Sequence, residues 1–115
     1  MASKIIHCEV VGKDGPALVR FYGSLFGWNL DTNHPGGYGI ASRDENGVDT
    51  GVGTAADGSA GWVTFYVAVP NVDQALARAA ELGGRVLVPK FSPDGEAQLA
   101  IFADPEGHVI GLTEV

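Results

Sequence analysis

The residues best suited to chemistry come early in the chain, within the stretch KIIHCEVVG over residues 4–12. Strand-forming residues surround a histidine and a glutamate, and strand side chains alternate between two faces. His7 and Glu9 therefore share one face of the predicted strand, and Cys8 points to the other. A histidine beside a carboxylate can begin a metal site, or it can be a polar pair that lines a pocket.

A second alternating stretch, WVTFYVAVP over residues 62–70, offers aromatic side chains instead. Two aromatic rings on one strand face can stack against a planar ligand, and equally they can fill a pocket or a dimer interface. A further aromatic residue follows the loop HPGG in the first half of the chain. The predicted ligand pocket comprises six residues: His7, Glu9, Tyr38, Trp62, Thr64 and Tyr66.

The other reactive side chains have simpler interpretations. Cys8 is expected to pack in the core, because buried cysteines commonly behave as small apolar groups. His34 and His108 adjoin turn residues and are expected to face solvent. The sequence contains no phosphate-binding loop, dinucleotide glycine motif, serine-triad motif or Cys/His metal spacing. The catalytic assignment stays open, with His7 and Glu9 as its candidates.

Composition restricts the function classes. The chain has 115 residues, enough for a single domain, and 45% of them are apolar. A net charge of −7 disfavours nucleic acid as a partner, because that partner requires a basic surface. No apolar run approaches the roughly 20 residues of a membrane helix. The single cysteine excludes an internal disulfide, and we expect a cytoplasmic protein.

Turn residues divide the first half of the chain into a strand, a helix and further strands. KDGPALVRFYGSLFGW follows the first strand, with Pro16 suited to the first helical turn and Gly27 suited to the helix end. Between these two residues the apolar side chains follow helical spacing. Short strands are then predicted near 28–32, 38–42 and 48–53, separated by the HPGG loop and a DENG turn.

The same plan restarts after TAADGSAG, a stretch over 54–61 whose composition is typical of a flexible linker. A strand leads to a second helix, which Asn71 and Gln74 begin as a capping box. Gly83 and Gly84 end that helix. Three strands are predicted after it, near 85–88, 97–103 and 108–113, with the turn DPEG before the last.

Corresponding features of the two halves recur at a nearly constant separation. Gly27 and Gly84 are 57 residues apart, and the DENG and DPEG turns begin 60 residues apart. Such a repeat decides the architecture. It predicts a single α+β domain over 1–115 built from two βαβββ modules, about 4–53 and 62–115. Their sheets would join into one curved mixed sheet around a cavity, with the helices outside.

The sequence resembles the vicinal oxygen chelate superfamily, which includes glyoxalase I, bleomycin resistance proteins and extradiol dioxygenases. Three stretches carry the likeness: the H-x-E of IIHCEVV followed by RFYGSLFGW, then VPNVDQALARAAELGGRVLVP, and finally FADPEGHVIGL. Together they cover nearly the whole chain. The resemblance implies paired βαβββ modules, and it implies a homodimer, since many small single-domain members form one.

The resemblance also implies where a metal would be held, because the metal enzymes of this group place ligands on the first and last strands of each module. The matching positions here are His7, Gly51, Thr64 and Gly111. Glycine has no ligating atom, and threonine is rarely a ligand for these metals. A shift of the alignment in module one would offer Asp49 instead. We therefore expect no metal cofactor, with a divalent metal as the alternative.

Three functions remain open from the sequence. The first is a protein that binds a small molecule in a metal-free cavity, as the resistance branch of the superfamily binds cationic drugs. The second is a metal-dependent lyase or dioxygenase of the glyoxalase type, with His7 as a ligand and Glu9 as a ligand or base. The third is a metal-free acid/base enzyme that uses Glu9 and His7.

Overall fold

The chain folds into two compact units in a computed structural model that describes residues 2–115. The N-terminal unit comprises His7–Val63. The C-terminal unit comprises Thr64–Val115 together with the residues up to Ile6. Each unit combines strands with helices, so the predicted α+β class is confirmed.

The N-terminal unit is built around a three-stranded mixed sheet. Its elements are β1 (Ile5–Gly12), α1 (Gly15–Phe26), β2 (Gly39–Ala41), the single-turn helix α2 (Arg43–Asn46) and β3 (Asp49–Thr54). Strand β3 lies in the middle and pairs in parallel with β1 and antiparallel with β2. In the parallel pair, His7 lies opposite Asp49 and Glu9 lies opposite Gly51.

Helix α1 begins and ends where the sequence predicts. The side chain of Asp14 accepts a hydrogen bond from the backbone N–H of Ala17 at 3.0 Å, which satisfies a donor that the first turn would leave unpaired. Pro16 lies in the first turn, where a missing N–H costs nothing. Gly27 ends the helix with a left-handed φ of 70°, and its N–H donates to the carbonyl of Gly23 at 2.9 Å.

The segment between α1 and β2 differs from the prediction. The strand expected near 28–32 is reduced to one isolated bridge between Asp31 and Ile40. Two backbone N–H groups in this segment donate to side chains and not to a neighbouring strand. Glu45 accepts from the N–H of Asn29 at 2.7 Å, and Asp31 accepts from the N–H of Asn33 at 3.0 Å. The second of the four strands predicted for module one is therefore incomplete.

The predicted DENG turn forms the short helix α2 instead. Ser42 caps this helix by accepting a hydrogen bond from the N–H of Asp44 at 3.2 Å, and Gly47 ends it in the left-handed conformation.

The C-terminal unit has the complete βαβββ order. Its elements are β4 (Trp62–Val69, of which Thr64–Val69 belong to this unit), α3 (Val72–Glu81), β5 (Arg85–Phe91), β6 (Leu99–Ala103) and β7 (Val109–Glu114). The strand order is β4-β7-β6-β5, with β4 and β7 parallel and the other pairs antiparallel. Helix α3 covers this sheet, and the core beneath it consists of Val69, Val72, Leu76, Ala100 and Leu112.

The helices of the two units are all short. None of those described over residues 2–115 is both long and apolar enough to cross a membrane.

Candidate functional site

A buried glutamate on β1 is the centre of a hydrogen-bonded cluster in the N-terminal unit. Glu9 is only 7% exposed. The hydroxyl of Tyr38 donates to its Oε1 at 2.9 Å, and Nε1 of Trp62 donates to its Oε2 at 2.7 Å. Both oxygens thus act as acceptors, which is the role of an ionised carboxylate. Tyr38 comes from the end of the Pro-Gly loop and Trp62 from the start of β4, so three separate segments meet at Glu9.

His7 joins the same cluster through the tyrosine. Its Nε2 lies 2.9 Å from the Tyr38 hydroxyl, and the two rings are stacked with an interplanar angle of 25°. The tyrosine hydroxyl donates to Glu9, so its oxygen accepts from Nε2 of His7 in the tautomer that carries the ring proton there.

The electrostatics of the cluster favour a neutral imidazole. Burial lowers the pKa of His7 below its ordinary value, because desolvation disfavours the imidazolium. The charges of Glu9 and Asp49 act in the opposite direction and do not reverse the shift. At neutral pH the imidazole of His7 is therefore neutral.

Tyr38 lies on two glycines of β3. The stretch DTGVGT alternates, so Gly51 and Gly53 share one face of the strand. A Cβ added at Gly51 would overlap the hydroxyl end of the Tyr38 ring, and a Cβ at Gly53 would lie 2.8 Å from its Cδ1. Glycine inside a strand often marks a close approach of another group. Here the tyrosine ring fills the space that side chains at both positions would need.

The C-terminal unit repeats this arrangement. Tyr66 on β4 lies opposite Gly111 on β7, and a Cβ added at Gly111 would lie 2.6 Å from Cδ2 of that ring. Tyr66 is almost fully buried. Thr64 is also buried, and its hydroxyl donates to the backbone carbonyl of Val109. Thr64 and Tyr66 are thus buried residues that contact other residues of the C-terminal unit.

The residues at the implied metal positions do not fit a metal ion. Gly51 and Gly111 have no ligating atom, and tyrosine rings occupy the space beside both. The substitute ligand Asp49 lies opposite His7, but its Oδ1 accepts from the N–H of Arg43 at 2.7 Å. Over residues 2–115, no three or more His, Cys, Asp or Glu side chains come together in a way that could hold a metal.

Four of the six predicted pocket residues come together in the N-terminal unit: His7, Glu9, Tyr38 and Trp62. The other two, Thr64 and Tyr66, belong to the C-terminal unit.

The remaining histidines and the cysteine lie outside the cluster. His108 pairs with Asp104 at 2.9 Å in the exposed DPEG turn, and His34 lies 3.7 Å from Asp31. Cys8 is half-buried rather than fully enclosed. The role of Tyr38 is not evident from its own position in the sequence, and the signal that would have indicated it is the pair of glycines in DTGVGT.

The βαβββ order, complete in the C-terminal unit and lacking one full strand in the N-terminal unit, is that of the vicinal oxygen chelate superfamily, which is the class of this protein. The chain belongs to the glyoxalase-like domain family, because its residues 9–113 match the sequence pattern of that family. It is 35% identical over 106 residues to CFP32 of Mycobacterium bovis, whose name describes it as a candidate glyoxylase. That match covers 86% of this chain and 41% of CFP32, so the chain spans about two-fifths of the relative's length.

Solved structures share the fold at low sequence identity. A glyoxalase/bleomycin resistance protein/dioxygenase superfamily member from Vibrio splendidus aligns over 98% of both chains with a TM-score of 0.59 and 17% identity. Methylmalonyl-CoA epimerase from Mycobacterium tuberculosis aligns over 96% of this chain and 86% of its own, with a TM-score of 0.62 and 12% identity. These likenesses establish the fold of the chain.

Proposed function

We propose that this glyoxalase-like chain binds a small organic molecule at the cluster of His7, Glu9, Tyr38 and Trp62, without a metal ion. The observation that carries the proposal is the position of Tyr38. Its ring fills the space beside Gly51, and its hydroxyl connects the histidine to the glutamate. Tyr38 thus connects His7 and Glu9 by hydrogen bonds, where a metal ion would connect them by coordination.

The charge of the site supports a basic ligand. The bonds from Tyr38 and Trp62 come from neutral donors, and they orient the Glu9 carboxylate. The chain as a whole carries −7, which raises the local concentration of cations around it. A ligand with an amine or guanidine group would gain a charge-assisted hydrogen bond at Glu9. An aromatic ring in the same ligand would find the indole of Trp62 beside that carboxylate.

The test is thermal stabilisation by two classes of probe, cationic glycopeptides and planar aromatic amines. A ligand at a hundredfold excess over its Kd stabilises the native state by about 2.7 kcal/mol, which raises Tm. Glu9→Gln keeps the shape of the side chain and removes its charge, so the variant should lose the response. Glu106→Gln alters an exposed acid in the DPEG turn and should respond like the wild type. If neither probe class stabilises the wild type, or if both variants respond alike, the proposal is wrong.

A second candidate is a metal-free acid/base enzyme, which the geometry of His7 favours. The Tyr38 hydroxyl connects a neutral imidazole to a carboxylate, so a proton removed by one group can be shared through the tyrosine with the other. The glyoxylase name of CFP32 and the epimerase fold neighbour agree with proton transfer next to a carbonyl group.

Deuterium exchange would separate this candidate from simple binding. Carbonyl compounds incubated with the protein in D₂O should gain deuterium at the carbon next to the carbonyl if the cluster acts as a base. Glu9→Gln and His7→Ala should each abolish that gain, while Glu106→Gln should retain it. A wild type that binds a probe but exchanges no proton would leave binding as the function.

A further inference from the structure

Asn46 and Gly47 form the only Asn-Gly pair of the chain, since Asn29, Asn33 and Asn71 precede leucine, histidine and valine. In an Asn-Gly pair the backbone nitrogen of the glycine attacks the preceding side-chain amide most readily, because glycine has no Cβ to hinder the approach. Gly47 is exposed, and no atom lies within 4 Å of the position that its Cβ would take. The surroundings of Gly47 therefore leave room for its backbone to change conformation.

The helix that contains Asn46 is held by few hydrogen bonds. Helix α2 is one turn long, and the N–H of Asn46 donates to the carbonyl of Ser42 at 3.3 Å. The N–H of Gly47 donates to the carbonyl of Arg43 at 2.8 Å. A single turn gains little from cooperativity, so it opens more readily than the core of a sheet. The nitrogen of Gly47 can react only in the open state, because the closed helix holds its proton.

The side chain of Asn46 connects α2 to β3. The carbonyls of Ser42 and Val48 face one end of its amide, and the hydroxyl of Thr50 faces the other end at 3.2 Å. The NH₂ group therefore lies against the carbonyls, to which it donates, and the oxygen accepts from the hydroxyl. Thr50 is a buried residue of β3. One amide thus joins the helix, the turn after it and the strand.

We propose that Asn46 is a site of spontaneous deamidation and that the reaction releases α2 from β3. In the open state solvent takes the N–H proton of Gly47, and the backbone nitrogen forms a bond to Cγ of Asn46. The bond between Cγ and Nδ2 breaks, and ammonia leaves with a proton from solvent. Water then opens the five-membered imide at either carbonyl, which yields aspartate or isoaspartate at residue 46. The reaction consumes water, releases ammonia and changes no oxidation state.

The product does not close the helix as Asn46 does. A carboxylate has acceptors only, so it offers no proton to the carbonyls of Ser42 and Val48, and its charge repels them. Isoaspartate also lengthens the backbone at the last residue of α2, since the chain then runs through Cβ and Cγ. The closed helix therefore protects Asn46, and the reaction removes that protection permanently.

Opening of α2 also changes the surroundings of Asp49. The N–H of Arg43 donates to Oδ1 of Asp49 at 2.7 Å, and Asp49 lies opposite His7 of the candidate site. Loss of the helix removes this donor and adds a carboxylate at residue 46. The chemistry at Asn46 is nevertheless independent of what the cluster binds, so either proposal can fail without the other.

Peptide mapping of the folded chain after storage at mildly alkaline pH tests the reaction. Trypsin releases residues 44–78, a peptide that contains both Asn46 and Asn71, so that Asn71 is an internal control. Fragment masses should show that Asn46 is converted several-fold faster than Asn71, with isoaspartate among the products. Equal rates at the two residues, or an Asn46 that stays intact, would overturn the proposal.

Ser42→Ala tests whether the open helix is the reactive state. The change removes the side chain that accepts from the N–H of Asp44, so the rate at Asn46 should rise about fivefold, as the loss of a helix cap increases the open population. Ser24→Ala alters an exposed serine of α1 and should leave the rate unchanged. If Ser42→Ala has no effect, or if both variants raise the rate alike, α2 does not control the reaction and the proposal is wrong.

Hydrogen exchange of Asn46→Asp tests the release of α2. The amides of residues 45–47 should exchange faster than in the wild type, whereas those of α3 should be unchanged. Deamidated wild type, separated by ion exchange, should behave in the same way. Asn33→Asp adds the same charge to an exposed loop residue and should leave α2 protected. Unchanged exchange in both Asn46→Asp and the deamidated protein would overturn the release, and so would equal losses of protection in Asn46→Asp and Asn33→Asp.

Discussion

The ring of Tyr38 lies directly against the backbone of Gly51, and its hydroxyl connects His7 to Glu9. Because residue 51 has no side chain, the tyrosine ring can occupy the space beside it. Gly111 and Tyr66 repeat the relationship in the C-terminal unit. In both units the residue at the last-strand position is glycine because an aromatic ring needs its space.

Gly51→Ala should destabilise the protein through a collision with Tyr38. Overpacking of this kind costs about 1–3 kcal/mol. Urea unfolding would measure the loss, and the double variant with Tyr38→Ala should recover part of it, because the two residues are coupled. Gly23→Ala is the control, since an added Cβ there would meet its nearest atom at an ordinary 3.4 Å. If Gly23→Ala and Gly51→Ala lowered the free energy of unfolding equally, the close contact between Gly51 and Tyr38 would not be the cause.

Tyr38→Phe should destabilise the protein while the ring stays in place. The change removes the donor to Glu9 Oε1 and the acceptor for His7 Nε2. The loss of such a hydroxyl costs about 1–3 kcal/mol when it leaves a buried partner unsatisfied. Tyr22→Phe offers a comparison, because the ring of Tyr22 packs against Phe21, Phe26 and Trp28. A cost at Tyr38 no greater than that at Tyr22 would show that the connecting hydroxyl contributes little.

Acidification should destabilise the fold through His7. Burial lowers its pKa in the folded state below the ordinary 6.5, so above that pH the residue is neutral in both states. As the pH falls through 6.5, the unfolded chain binds the proton more readily, and the free energy of unfolding decreases. His7→Asn should remove this component. The measurement is the difference in unfolding free energy between about pH 7.5 and 5.5 for both proteins.

That window keeps the three aspartates with lowered pKa values out of the comparison. The acids with lowered pKa values, Asp57, Asp94 and Asp104, have an ordinary value of 3.8 and titrate below it. Identical pH slopes for the wild type and His7→Asn would show that His7 does not govern the acid response.

Divalent metals should leave the wild type unchanged. The implied ligand positions hold Gly51 and Gly111, each with a tyrosine ring against it. Ni²⁺, Zn²⁺ or Mn²⁺ should therefore shift the Tm of protein purified without a histidine tag by less than about 1 °C, since a ligand stabilises only what it binds. A positive control is the double variant Tyr38→Ala, Gly51→Glu, which opens the space and adds a carboxylate near His7. A stoichiometric metal in the wild type would refute the metal-free site.

Trp62 should report ligand binding by fluorescence. The chain has two tryptophans, and Trp28→Phe leaves Trp62 as the only one. Its Nε1 donates to Glu9 Oε2 at 2.7 Å, so a ligand that contacts the carboxylate changes the surroundings of the indole. Binding probes should alter the emission of the Trp28→Phe variant and should leave that of Trp62→Phe unaffected. The opposite pattern would place the ligand near α1 rather than at the cluster.

Much of the fold follows from local patterns in the sequence. The alternation in IIHCEVV puts His7 and Glu9 on one face whatever the rest of the chain does. The caps at Gly27 and Asn71 form as predicted, because each depends on groups a few residues away. The strand expected near 28–32 depends on a more distant group, because the N–H of Asn29 donates to Glu45, which lies 16 residues away in the chain.

The sequence by itself determined the repeated plan, the class and the missing metal ligands, since all three depend on residue types and their spacing along the chain. Only the tertiary structure decided which side chains fill the space beside the glycines at the implied ligand positions. Tyr38 comes 13 residues before Gly51, and Trp62 comes 53 residues after Glu9. Whether such distant groups meet depends on how the loops return to the sheet, which no local periodicity encodes. His7 and Glu9 are thus two of the four residues of a hydrogen-bonded cluster, and folding brings Tyr38 and Trp62 to them.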